Sequence, residues 1–96
     1  MSQIRFEWDS RKARSNEKKH GVSFKEAQSV FFDEQALLLE DPQPLHEEER
    51  FILLGLSASL RLLVVVHALR ERDVIRIISA RKATRLETRE YEIRLR

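Results

Sequence analysis

The chain has no cysteine, which rules out disulfides, thiolate metal sites and a disulfide-stapled secreted scaffold. Glycine and proline are scarce, two of each in 96 residues, so the elements must be joined by short links. No repeat and no low-complexity stretch is present. The longest apolar run, Leu62 to Val66, is far too short to span a bilayer. The opening, MSQIRFEWD, lacks a basic segment followed by an apolar one, so no signal peptide is expected. These absences point to a cytoplasmic protein with no membrane partner. Hydrophobic residues form 42% of the chain, which suits a globular fold and is too much for disorder. The length fits a single domain over residues 1–96 with a modest core.

Charge is unevenly spread. Residues 1–25 carry seven Lys/Arg against three Asp/Glu, and residues 76–96 carry seven against three again. Residues 26–75 carry four against ten, leaving a net charge of only +2. If the two ends meet in the fold, they form a positive face that attracts phosphate; the plainer alternative is a charged coat on a small domain.

Ile4 to Trp8 alternates apolar and polar, as a half-buried strand does. Asp9 suits an N-cap and Gly21 a left-handed stop, which predicts a helix from Ser10 to His20. Ala13 is its only apolar residue, so this helix is either held by its neighbours or displayed for use. Ser23 and Glu26 read as a capping box with Val22 stapled to Ala27, opening a second helix that faces Ala27, Val30 and Phe31 to the core. A short strand over Gln35 to Leu39 is expected next, then an acidic loop from Asp41 to Glu49. Three strands follow, about Arg50–Ser57, Leu62–Arg70 and Val74–Ala80, with short polar links that make an antiparallel meander. Thr84 and Glu87 form another capping box, opening a last helix to about Leu95 with apolar Leu86, Tyr91, Ile93 and Leu95. Helices and strands are segregated, so the expected class is α+β: an N-terminal strand, two helices, an antiparallel sheet of three to four strands and a C-terminal helix.

Four segments together resemble the BrnT family of ribonuclease toxins. FEWDSRKARSNEKKHGVSF, at Phe6 to Phe24, resembles the family's opening; EERFILLGLS and RLLVVVHALR resemble its central strands; RIISARKATRLETREYE, at Arg76 to Glu92, resembles its closing strand, turn and helix. The resemblance implies a RelE-like fold and an endoribonuclease of the mRNA interferase type that inhibits translation. It also implies a cognate BrnA-like ribbon-helix-helix antitoxin, and a toxin homodimer within a heterotetramer. The ribosome is a further candidate partner.

RNA carries its own nucleophile, the ribose 2′-OH. Cleavage then needs a base, cations on the phosphorane and an acid for the leaving oxygen, and no metal. The chain offers no metal site: there is no thiolate, the histidines stand at 20, 46 and 67, and the carboxylates lack ligand spacing. No cofactor is expected. His20 ends a helix, where the dipole favours an imidazolium suited to acid or base work; capping is its structural role. Arg81 and Lys82 lie where the last strand stops. Arg81 can clamp a phosphate with its planar fork and Lys82 can add a point charge. Arg85 sits in a first helical turn, where a cation is misplaced unless it serves a ligand. Lys18, Lys19 and Arg76 add candidate RNA contacts. Arg50 is a catalytic candidate whose simpler role is pairing with Glu47 to Glu49. His67 lies on an apolar strand face, where a histidine is more often core than catalyst. Glu87 is a capping partner first and a general base second.

Strict alternation puts Arg76 with Val74, Ile78 and Ala80 on one face, and Arg81 with Ile75, Ile77 and Ser79 on the other, so a shared pocket needs a bend. Phe6 and Trp8 could stack on a base, although their shared face with Ile4 reads more simply as core. His46 has no evident partner. The alternative function is a non-catalytic module that binds nucleic acid or antitoxin through the same basic face; a third is an inactive partner that only folds around an antitoxin.

Overall fold

The computed structural model describes residues 3–40 and 49–95. The acidic loop over 41–48, His46 within it, and the expected pairing of Arg50 with residues 47 and 48 lie outside the described residues. The elements run β1 (Arg5–Glu7), α1 (Ser10–His20), α2 (Phe24–Ser29), a 3₁₀ turn (Val30–Phe32), β2 (Leu37–Glu40), β3 (Arg50–Leu56), β4 (Leu62–Glu71), β5 (Val74–Lys82) and α3 (Arg85–Arg94). The class is α+β. The sheet has five strands in the order β1-β5-β4-β3-β2. The expected meander is present as β3-β4-β5. It gains β2 antiparallel on one side and β1 parallel to β5 on the other, so the sheet is mixed.

Caps set the helix ends. The Asp9 carboxylate accepts from the Arg11 amide at 2.8 Å and the Lys12 amide at 3.3 Å, and these bonds hold its pKa below the ordinary aspartate value. Gly21 closes α1 at φ 69°, a conformation that a Cβ disfavours, and its N–H donates to the Glu17 carbonyl. Thr84 and Glu87 form both arms of the capping box of α3. At α2 only one arm forms: Ser23 Oγ accepts from the Glu26 amide, while the Glu26 carboxylate turns away to Arg61 and Ser57.

The main core lies between the sheet and the α1–α2 layer. Val22, Phe24, Ala27 and Val30 from the helices meet Leu53, Leu63, Val65, Ile77 and Ala80 from the strands. Phe6 and Trp8 pack against this core. Phe6 meets Phe31 at 5.2 Å, and Trp8 meets Phe24 edge-on at 6.0 Å, so neither ring is presented for stacking on a base. On the opposite face, α3 covers only part of the sheet. Tyr91 packs against Leu54 and Val64, while Leu86, Ile93 and Leu95, read as apolar helix positions, remain exposed.

One irregularity decides which residues of β5 share a face. Along β4–β5, Val66 pairs with Ser79 but His67 pairs with Ile77, so Ile78 is an extra, bulged residue. The bulge shifts the face parity of β5. Ile77 and Ala80, on opposite faces under strict alternation, lie in the same core. Arg76 and Arg81, expected on opposite faces, therefore share one. The bend that a shared site requires is this bulge.

Candidate active site

The face of the sheet turned away from α1 and α2 carries the cationic strand residues. Following the pairing across strands, Arg50, Ala68 and Arg76 form one row, Ile52, Val66 and Ser79 the next, and Leu54, Val64 and Arg81 a third beneath α3. Strands rise about 3.3 Å per residue, so Arg76 and Arg81 stand two rows apart, about 13 Å, with Ser79 and Val66 between them. Each of these long side chains can reach a phosphodiester placed over the middle row.

Both guanidinium groups already rest on carboxylates. Arg81 forms a bidentate pair with Glu87, Nη1–Oε1 2.8 Å and Nη2–Oε2 2.9 Å. The same Oε1 accepts from the Thr84 amide at 2.7 Å. The Arg81 guanidinium and these cap donors push the Glu87 carboxyl down to about 2, and the carboxylate in turn raises the pKa of Arg81. The capping role read from the sequence and the pairing role therefore meet in one side chain. Arg76 leans the other way, Nη1 lying 3.9 Å from the carboxylate of Glu7, its register partner on β1. Arg50 is half-buried, and its Nε is fully buried with no hydrogen-bond partner among the described residues. A cation so placed gains from any anion that reaches it.

A second group of cations lines the helical layer. Lys18, Lys19 and His20 form the last turn of α1, and Lys82 faces α2, where its charge acts on Glu26. Arg81 and Lys82 are strand neighbours and so point to opposite faces. Arg85 is exposed in the first turn of α3. His67 lies on the helix-covered face, 4% exposed, edge-on to Phe31 at 4.8 Å and beneath an apolar pocket of 310 Å³. Burial keeps its pKa below the ordinary histidine value, against a weak contact to the Val65 carbonyl. The structure thus brings Arg50, Arg76, Arg81 and Glu87 to one face, and places His67, Lys82 and the α1 cations Lys18, Lys19 and His20 with the helical layer on the other. The single positive face expected from the two ends of the chain is divided between the two sides of the sheet.

Sequence reasoning missed the residues that hold α1 in place. Asn16 is buried, and its amide does the work of a neighbouring strand. Beyond Glu7, β1 no longer covers the edge of β5. There Asn16 Oδ1 accepts from the Ala80 amide at 3.1 Å, and Nδ2 donates to the Ala80 carbonyl at 2.8 Å and to the Val22 carbonyl at 3.0 Å. The signal was legible: Ala13, Asn16 and His20 lie on one helical stripe, so the inward face of α1 includes an amide. Arg61, on the β3–β4 turn, was also missed. Its Nε donates to Glu26 at 2.9 Å and its Nη2 donates to the Gly21 carbonyl at 3.1 Å, which ties the end of α1 to α2 and the sheet. This contact pairs residues far apart in sequence, and no local pattern announces it.

Among the described residues, no group of three or more His, Cys, Asp or Glu could hold a metal ion, and no helix is long and apolar enough to cross a membrane.

Comparison with known proteins bears on the fold and the family. No curated protein matches the sequence. The fold is similar to that in the 1.1 Å crystal structure of the Brucella abortus ribonuclease toxin BrnT, with a TM-score of 0.65 and 21% identity, over 86% of this chain and all of that one. The model of the family described as the ribonuclease toxin BrnT of type II toxin–antitoxin systems matches residues 8–87. With more than half its length matched, the chain belongs to the BrnT family of ribonuclease toxins.

Proposed function

We propose that this toxin is an endoribonuclease of the mRNA interferase type that cuts RNA without a metal ion, on the open face of the sheet. The observation that carries the reading is the β5 bulge, which gathers Arg76, Ser79 and Arg81 on the face that also bears Arg50. Three guanidiniums around the row of Ile52, Val66 and Ser79 can hold a phosphodiester and stabilise the dianionic phosphorane. The 2′-oxygen forms a bond to phosphorus as the bond to the 5′-oxygen breaks, leaving a 2′,3′-cyclic phosphate. The proton of the 2′-OH passes to a base, and the 5′-oxygen takes one from an acid.

Glu87 is the base this arrangement favours. While paired with Arg81 its carboxyl sits at about 2, too low to accept a proton readily. When Arg81 turns to the phosphate, that pairing is lost and the carboxyl moves back toward its ordinary value. Substrate binding therefore activates the base. His20, read from the sequence as an acid or base, ends α1 in the layer on the other side of the sheet, so the 5′-oxygen on the open face takes its proton from solvent. Lys18, Lys19, Lys82 and Arg85 extend the positive field toward flanking phosphates. His67 packs between rings and takes no part in this scheme.

The family implies an antitoxin partner and an RNA target. A BrnA-like ribbon-helix-helix antitoxin, assembly as a toxin dimer within a heterotetramer, inhibition of translation, contact with the ribosome and a cytoplasmic setting complete the proposal. The test is chemical. Purified toxin incubated with RNA in excess EDTA is expected to yield fragments ending in 2′,3′-cyclic phosphate. Intact RNA with salt-sensitive retention overturns the nuclease reading in favour of a binding module.

A further inference from the structure

Beside the arginine rows, at the edge formed by β1 and the β4–β5 hairpin, lies a polar pocket of 270 Å³ lined by Arg5, Phe6, Glu7, Arg70, Glu71 and Val74. It continues the open face. Arg5 and Glu7 pair in register with Val74 and Arg76 of β5, and Arg76 shares a face with Arg81 through the bulge. The pocket is smaller than those that enclose drug-sized ligands and is suited to a single planar group. Its chemistry is mixed. The Glu7 carboxylate stands between two guanidiniums, 3.5 Å from Arg70 Nε and 3.9 Å from Arg76 Nη1. These distances are too long for tight hydrogen bonds, so the carboxylate keeps acceptor capacity for a ligand.

We infer that this pocket is a nucleobase subsite that selects guanine, a few nucleotides along the RNA strand from the bond that is cut. The inference rests on the proposed cleavage site for the strand's path, and on the pocket's own chemistry for the base. A carboxylate only accepts, so it prefers an edge with two adjacent donors. Guanine presents N1–H and the N2 amino group side by side. Adenine and cytosine place a ring acceptor beside their amino group, and uracil flanks its single N–H with two carbonyls; each sets lone pairs against the carboxylate. On the guanine edge away from Glu7, O6 and N7 are acceptors for a guanidinium, and Arg5 and Arg70 line the pocket to supply one. Arg76 then has two roles, holding Glu7 in place and contacting the phosphate between subsite and cleavage centre. Glu7 is a specificity residue in this scheme and takes no part in proton transfer.

The test uses binding first, so that it does not depend on cleavage. Short 2′-O-methyl oligoribonucleotides, which cannot be cut by 2′-OH attack, carry one guanine, inosine or adenine at a fixed position and are titrated against the full-length toxin by fluorescence anisotropy. Guanine is expected to bind about tenfold tighter than adenine, the scale of one good bidentate base contact. Inosine, lacking the N2 donor, should fall between. Glu7→Gln, which keeps the shape of an exposed side chain but presents a donor and an acceptor that match the adenine edge, should abolish or invert the difference. Equal binding of the three oligonucleotides by the parent protein overturns the subsite, as does a guanine preference that survives Glu7→Gln. Cleavage mapping of unmodified RNA then reads the nuclease proposal separately. Cuts at a constant offset from guanine, lost in Glu7→Gln, support both proposals. Guanine-selective binding without cuts sinks the nuclease reading alone, and cuts with no base at a constant offset sink the subsite alone.

Discussion

Asn16 offers the sharpest test of how this chain builds its site, because one amide makes three buried hydrogen bonds that replace a missing strand. Asn16→Asp keeps the shape and the acceptor for the Ala80 amide, but turns a second oxygen toward the carbonyls of Val22 and Ala80. Two buried carbonyls lose their donor, at about 1–3 kcal/mol each. The ionised carboxylate also loses hydration. A loss of about 4 kcal/mol is expected at neutral pH, a large share of the ~5–15 kcal/mol that stabilises a typical domain. For a chain of this length that lowers Tm by roughly 15–30 °C.

The pH dependence has a definite sign. Burial and the facing carbonyls raise the new carboxyl's pKa in the folded state above its unfolded value. Protonation restores a donor to one carbonyl, so the variant regains stability relative to the parent as pH falls through the raised value. Urea unfolding at neutral and mildly acidic pH, followed by the fluorescence of the single tryptophan, Trp8, measures both effects. Asn16→Leu, which breaks all three bonds without adding a charge, should show a comparable loss with no pH dependence. A loss below about 1 kcal/mol for Asn16→Asp, or one that does not change with pH, refutes the strand-replacement reasoning.

Other substitutions probe the rest of the frame. Gly55→Ala places a Cβ 2.8 Å from Ala36 Cβ and 2.9 Å from Val30 Cγ1, where both neighbours sit on or near backbone; a loss of about 2 kcal/mol by chemical denaturation is expected, and a neutral result means the β3–helix contact is looser than it looks. His67→Phe should be tolerated between Phe31 and Phe51. It should also remove the stability that the parent loses as pH falls below about 6.5, where the unfolded histidine charges first and the buried one resists; an unchanged acid limb in Tm against pH contradicts this. Tyr91 donates to Asp33 at 2.6 Å, and burial followed by that carboxylate pushes the phenol up to about 12. Its contribution to stability is therefore complete below pH 10 and lost as pH rises toward 12, so Tyr91→Phe should flatten the alkaline limb of the Tm profile at a cost of about 1 kcal/mol.

Much of the fold was legible because its signals are local. Asp9, Ser23, Thr84 and Gly21 mark helix ends through short-range hydrogen bonds and a left-handed φ, and these appear where the sequence places them. The β3-β4-β5 meander follows from strand patterning and short polar links. The parallel docking of β1 onto β5 was not legible, because nothing in Arg5–Glu7 encodes a partner almost seventy residues away. The candidate site was half visible. Arg50, Arg76, Arg81 and Glu87 could be picked out as chemically suited residues, but alternation separated Arg76 from Arg81. The bulge at Ile78 leaves no mark in a run of β-branched residues that reads equally well with or without it. The inward stripe of α1 shows that Asn16 faces the core, but its bonds to Ala80, like that of Arg61 to Gly21, join backbone atoms distant in sequence and emerge only once the chain is folded.

The central claim is that the phosphodiester sits on the open sheet face beneath the arginines of β3 and β5. Single-turnover cleavage of one defined RNA, compared across Arg76→Ala, Arg81→Ala and Lys18→Ala/Lys19→Ala, tests it most directly, with thermal melting to verify that each variant is folded. Loss of either arginine is expected to slow the chemical step about a hundredfold or more at saturating protein, the scale for removing one transition-state donor. The lysine pair should weaken binding in a salt-dependent way and leave the saturated rate nearly unchanged. A saturated rate that survives both arginine variants and collapses in the lysine variant contradicts the account.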